Sequence, residues 1–223
     1  ALLGLMAVSQ TAAIRTEMRV VGNELDAARA RAAAFAGVQL ALYELGRPSS
    51  GRRWSADGTP YAVTFDDVAL EITIQDEAGK VDLNTAPPPL LDALLTAGGI
   101  AEEERPALVA AILDWRDRDD LARLNGGEVR EYRREGLAYG PANAPFQSLE
   151  ELVLVRGFDA ARYYAVIDGL TIYSASDGVN PVHAPPLVLA ALSYLVGDGL
   201  SAAHDVSAAP FVDTYGMFHS SAG

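Results

Sequence analysis

The 223-residue chain has no cysteine, which excludes disulfides and thiolate metal sites. Lys80 is its only lysine, so arginine carries nearly all the positive charge. The three histidines, His183, His204 and His219, are scattered and lack H-x-x-x-H or H-E-x-x-H spacing, which argues against zinc. No G-x-S-x-G, P-loop or G-x-G-x-x-G motif is present. A net charge of −13 argues against a nucleic-acid backbone as the main partner. What the chain has is apolar residues, 50% of the total, enough for a real core.

No proline interrupts residues 1–47, and the glycines at Gly22 and Gly37 are isolated. Ile14, Met18, Val21, Leu25, Ala28, Ala32, Phe35 and Leu42 recur at helical steps. A single helix of about 45 residues would be about 68 Å long, the proportions of a coiled-coil arm or a membrane-anchored stalk. The alternative is two helices broken near Gly22. The opening residues, Ala1 to Val8, are wholly apolar. Eight residues fall short of the roughly 20 that span a bilayer. They read as the end of a membrane segment or as the first turns of a core helix.

Tyr61–Phe65 and Leu70–Ile74 alternate apolar and polar residues around Asp66-Asp67, which predicts a β-hairpin. Val81-Asp82-Leu83 reads as a further short strand. From Pro87 to Ile167 the pattern is helical. Pro87 and Pro88 start one helix and Gly98-Gly99 end it. Glu102–Trp115 forms a second, and shorter helices are expected at 128–134, 148–155 and 160–167. Leu170–Tyr173 returns to strand character, and Pro185–Leu195 is a last helix. The expected fold class is α+β, with three parts: a stalk helix at 1–46, an α+β domain at 47–86 and 168–223, and an inserted α-helical domain at 87–167. Val81–Pro88 is also echoed by Val179–Pro186, each a polar turn leading into a proline-started, leucine-rich helix.

The densest chemistry lies at Asp114-Trp115-Arg116-Asp117-Arg118-Asp119-Asp120, followed by Asn125-Gly126-Gly127-Glu128. Oxygen ligands packed around a turn suit a hard cation such as Ca²⁺. The spacing is not that of an EF-hand. The residues equally fit an acidic helix end paired with Arg116, Arg118 and Arg123, and such surface pairs contribute little. A pair of catalytic carboxylates, Asp114 and Asp117, is the third reading. Two segments, Leu83–Ile100 and Leu149–Phe158, resemble helix-hairpin-helix DNA-binding hairpins, yet lysine is absent between 101 and 159 and acids predominate.

In order along the chain come an apolar-to-amphipathic helix, Gly79-Lys80-Val81-Asp82-Leu83-Asn84-Thr85-Ala86, the run from Ile112 to Asp120, Gly127-Glu128 with Tyr132, Tyr139, Pro141 and Asn143, Ser148–Leu152, and Gly178-Val179-Asn180 leading to Ala184. This ordered set resembles the K-type minor pseudopilins of bacterial type II secretion systems. The resemblance implies a type IV pilin-like fold with a long N-terminal helix, an antiparallel sheet and a large inserted α-helical domain. It implies a structural, non-enzymatic role at the tip of the periplasmic pseudopilus, with I-type and J-type minor pseudopilins and the inner-membrane secretion platform as partners and no nucleic acid. It also implies single-pass anchoring in the inner membrane, assembly through Ile14, Met18, Val21 and Leu25, and structural Ca²⁺ in the inserted domain. Matched to this chain, the Ca²⁺ ligands are Asp117, Asp119, Asp120, Glu128 and Asn143, with Asp114 set aside as a residue inside the helix. Against the family pattern, Ala1 falls within the membrane helix and Gly223 before the closing β-sequence, so the leader peptide and the native C-terminus are expected outside these 223 residues. Asn180-Pro181-Val182-His183-Ala184 departs from the usual Asn-x-Asn-Thr-Ala. The remaining alternatives are a helix-hairpin-helix nucleic-acid binder and a minor pilin of a type IV pilus-related system.

Overall fold

The computed structural model describes residues 2–47 and 54–202, with only the backbone described for residues 2–16 and 197–202. Residues 48–53, His204 and His219 lie outside the described residues, as does the side chain of Ile14. The chain is mixed α+β and divides into two compact units, residues 1–80 with 178–185, and residues 81–177 with 186–223. The α+β domain expected at 168–223 is thus distributed: Gly178–Pro185 groups with the hairpin, whereas the strand and helix on either side of it group with the helical block.

In the first unit, α1 (Leu2–Gly46) is one helix, uninterrupted at Gly22. No helix among the described residues is long and apolar enough to cross a membrane. β1 (Asp57–Phe65) and β2 (Val68–Gln75) pair antiparallel, with Phe65 opposite Val68. Asp66 and Asp67 both take positive φ, 46° and 65°, the geometry of a two-residue hairpin turn whose twist matches the strands. β2 alternates half-buried and exposed residues, with Leu70 and Ile72 toward α1. Gly37 makes that approach possible: a Cβ there would stand 3.3 Å from Ile72 Cδ1. Ala33, one turn earlier, is buried. Beyond β2, Asn180 N donates to Ala78 O (2.7 Å) and Gln75 Nε2 to His183 O (2.6 Å). A Cβ at Gly79 would lie 2.0 Å from His183 O, so only glycine fits there.

In the second unit, β3 (Val81–Asp82) runs parallel to β4 (Leu170–Thr171), a shorter strand than the four residues expected. Between them come α2 (Pro88–Ala97), α3 (Arg105–Arg116), α4 (Val129–Arg134), a 3₁₀ segment (Leu149–Leu154) and α5 (Ala160–Val166), and α6 (Pro186–Ala202) follows. α3 starts three residues later than its acidic start predicts, because Glu102–Glu104 form a turn. α2 packs on α3 and α6, around Leu90, Leu91, Leu94, Leu108, Ile112, Val188 and Ala191. Gly99, at φ 76°, ends α2, and the Ile100 N–H caps the Leu95 carbonyl at 3.0 Å.

The sequence echo has a structural counterpart. Asp82 Oδ1 accepts from Asn84 N (2.8 Å), and Asn180 Oδ1 accepts from Val182 N (3.0 Å). The third N–H along, Thr85 or His183, donates to the carbonyl of the same Asx residue. Both segments are therefore Asx turns that feed a proline-started helix.

Candidate cation site

α3 ends at Arg116 because its last apolar residues, Ile112 and Trp115, are followed by charged residues with nothing to bury. Its final turn carries Asp114, which is fully buried. A buried carboxylate requires donors, and Asp114 has three. It accepts from Gly127 N (2.8 Å), Arg123 N (3.1 Å) and Arg123 Nη1 (2.7 Å). These bonds fold the 117–127 loop back on the helix end. Gly126 permits it, since a Cβ there would sit 2.1 Å from Asp114 Oδ2. Asn125, at φ 66°, reverses the chain just before.

The guanidinium of Arg123 also bonds Asp117 Oδ2, while Asp117 Oδ1 is buried with no hydrogen-bond partner. Asp117 and then Asp114 hold Arg123 still more firmly protonated than usual. Asp119 Oδ1 accepts from Leu121 N (2.9 Å) in a short Asx turn. Asp120 Oδ1 accepts from Asn143 Nδ2 (2.9 Å), leaving Asn143 Oδ1 buried and unpartnered. Asn143 itself adopts positive φ, 48°.

Glu128 opens α4 and is 5% exposed. Neither of its carboxylate oxygens has a hydrogen-bond partner. Burial, and then the charges of Asp114, Asp117, Asp120 and Asp119, push its pKa up to about 7. Among the described residues, no three His, Cys, Asp or Glu side chains already converge as a cage for a metal. What stands here instead is an acidic loop with unused oxygens on Glu128, Asp117 and Asn143, and a guanidinium between two of its carboxylates. That donor set fits a hard, oxygen-seeking cation. The acid-base reading of Asp114 and Asp117 does not survive, because both carboxylates bind Arg123 and Asp114 has no access to solvent.

The surroundings are closely packed. Trp115 stacks on Phe146 and packs against the buried Tyr132, which meets Tyr139 edge-on. Burial pushes the Tyr132 phenol up to about 12, and its oxygen accepts from Arg156 N at 2.9 Å. Trp115 Nε1 donates to Glu151, whose other oxygen caps Gln147 N and Ser148 N. Asn84 clamps Phe146 as a peptide would: Oδ1 accepts from Phe146 N (2.7 Å) and Nδ2 donates to Phe146 O (3.1 Å). Arg116, expected to pair with the loop acids, instead donates to the carbonyls of Leu83 and Ala86. Asp82, buried, accepts from Ala175 N (2.9 Å) and Ser174 Oγ (3.2 Å). The Asp82-x-Asn84 turn and Arg116 thus tie the beginning of the block to the loop.

Of the residues expected as ligands, Asp117, Asp119, Asp120, Glu128 and Asn143 all belong to this loop and the segment facing it. The pairing of Arg123 with the acidic run was among the expected readings; the anchoring role of the buried Asp114 was not. An aspartate inside an apolar helix run, nine residues before an arginine, was the available signal. Beside the second hairpin, a cavity of about 470 Å³ is lined by Glu103, Glu104, Glu135, Arg156 and Arg162. Its two arginines pair with Glu135 and with Glu104 and Asp159, so their charge is not free for phosphate.

Residues 71–175 match the family model of type II secretion system protein K. The type II secretion system protein K of Klebsiella pneumoniae is 32% identical over 121 residues, covering 52% of this chain and 37% of its own length. Over this region the chain is similar to protein K of type II secretion systems. The matched family region contains the Asp82 turn, the acidic loop, the Trp115 cluster and both hairpins, and ends at the Ala175 backbone that caps Asp82. A chain in the crystal structure of the GspK-GspI-GspJ complex from the enterotoxigenic Escherichia coli type 2 secretion system has the same fold, at TM-score 0.54 and 17% identity over 76% of this chain and 68% of that one. The chain therefore spans well under half the length of the curated relative it matches. The expected helix positions fall on α1, where Met18, Val21 and Leu25 are 70%, 63% and 51% exposed.

Proposed function

We propose that this chain is a structural minor pseudopilin of type II secretion, assembled near the tip of the periplasmic pseudopilus with I-type and J-type partners. The observation that carries this reading is the family match over 71–175, on a chain whose first element is a 45-residue helix. That helix uses one face, through Ala33 and Gly37, on its own hairpin. Its other face presents Met18, Val21, Leu25, Phe35 and Leu42 to solvent, a stripe suited to packing against partner helices. The apolar start of α1 supports single-pass anchoring in the inner membrane before assembly. No catalytic role is assigned.

We propose further that the acidic loop holds a structural Ca²⁺. Glu128, Asp117, Asp119, Asp120 and Asn143 would hold it, and its charge would offset repulsion among the carboxylates. Glu128 supports this most directly, as a buried carboxylate whose two oxygens have no partner.

One experiment covers both readings. The chain is mixed with the I-type and J-type pseudopilins of its own system, in CaCl₂ and in chelator. Complexes are resolved by size-exclusion chromatography, and the melting temperature of the chain alone is followed in the same two buffers. A ternary species is expected, together with a rise of several degrees in calcium. Absence of any complex sinks the assembly reading, and identical melting in both buffers sinks the cation reading.

A further inference from the structure

We propose that Arg123 is a tethered counter-ion, which neutralises the acidic loop when calcium is away and gives up its place when calcium binds. The inference rests on the calcium reading above and adds a residue that no ligand set would include, because a guanidinium cannot ligate a cation.

Three observations carry it. First, the Arg123 side chain joins Asp117, a proposed ligand, to the buried Asp114: Nη1 lies 2.7 Å from Asp114 Oδ1 and also bonds Asp117. Second, oxygens beside this pair are unused. Asp117 Oδ1 and both oxygens of the buried Glu128 have no hydrogen-bond partner, so one positive charge leaves the loop's donors unsatisfied. Third, the guanidinium lies on the solvent side of the pair. The Arg123 side chain is 43% exposed, whereas Asp114 is fully buried. If the guanidinium swings into water, Asp114 keeps the backbone N–H groups of Gly127 and Arg123 on Oδ2. The loop stays folded back on α3, while Asp117 Oδ2 comes free for the incoming cation.

Arg116 and Arg118 cannot substitute. The Arg116 guanidinium is committed to the Leu83 and Ala86 carbonyls, and Arg118 makes no ion pair with the loop carboxylates. The exchange makes folding of the block tolerant of calcium depletion, at the expense of affinity. Binding displaces a charge-assisted pair, so removing the arginine should tighten calcium binding by about tenfold.

The test uses the chain with Arg123→Gln and Arg123→Lys, titrated with CaCl₂ by calorimetry and melted in chelator and in saturating calcium. R123Q is expected to melt several degrees below the parent in chelator, to recover most of that gap in calcium, and to bind calcium more tightly. R123K, which keeps the charge, should stay near the parent in both respects. If R123Q does not fold in chelator, refolding on addition of CaCl₂ supports the exchange, and failure to refold overturns it. Calcium binding of equal or weaker affinity in R123Q, with the same melting deficit in both buffers, would make Arg123 an ordinary structural ion pair. Absence of calcium binding in the parent and in R123Q alike overturns the cation site itself, and the exchange with it.

Discussion

The acidic loop has a buried carboxylate at each end, and the two are treated in opposite ways. Asp114, at the end of α3, accepts from two backbone N–H groups and a guanidinium. Glu128, at the start of α4, is nearly as buried and accepts nothing. Buried charge is costly unless paired. The Asp114 end is therefore complete from this chain's own atoms. The Glu128 end is complete only with something added, either a proton or a cation. The difference separates the part of the loop that is architecture from the part that has oxygens left over.

The strongest way to break this contrast is Asp114→Ala. It strands the Gly127 and Arg123 N–H groups and removes the anchor of the loop. A loss of about 3–5 kcal/mol is expected, the cost of breaking a buried pair, read by urea denaturation in calcium and in chelator alike.

Glu128→Gln should act in the other direction, and only without calcium. In the folded chain Glu128 holds its proton up to about pH 7, whereas an ordinary glutamate releases it near 4.5. Between these values the folded state binds the extra proton, so this group makes stability fall as pH rises. The loss is complete above pH 7 and approaches about 3 kcal/mol. In chelator, E128Q should match the parent near pH 4.5 and exceed it increasingly up to pH 7 and beyond. In calcium the order should reverse, because the amide loses the ligand charge. A constant difference between the two proteins across that pH range would remove Glu128 from the site.

The smallest effect is expected at Asp119, an exposed carboxylate of the same loop. Asp119→Asn keeps the oxygen that accepts from Leu121 N, so stability in chelator should change by less than about 0.5 kcal/mol. Weaker calcium binding, measured by titration, is the expected consequence.

Much of this was legible along the chain. The long helix, the Asp66-Asp67 hairpin, the proline starts and the Gly98-Gly99 stop are local, set by φ preferences and periodicity over a few residues. So was the pool of candidate oxygen donors, because acidic side chains crowd the segment from Asp114 to Glu128. The assignment of arginines was not. Arg116, Arg118 and Arg123 look equivalent in a run of alternating charge. Yet one reaches back about thirty residues to the Leu83 and Ala86 carbonyls, and another clasps a buried aspartate. Asn84 likewise reads as a turn residue, and its peptide-like grip on Phe146 appears only when segments 62 positions apart meet.

The sequence alone determined the elements and the chemistry available: a 45-residue helix, a hairpin, a proline-punctuated helical block and an acidic loop that suits a hard cation. These follow from short-range backbone preference and residue type. Only the tertiary structure decided which carboxylate is satisfied and which is left open. That depends on burial and on donors brought in from distant segments, and a carboxylate's charge state and partners follow from both.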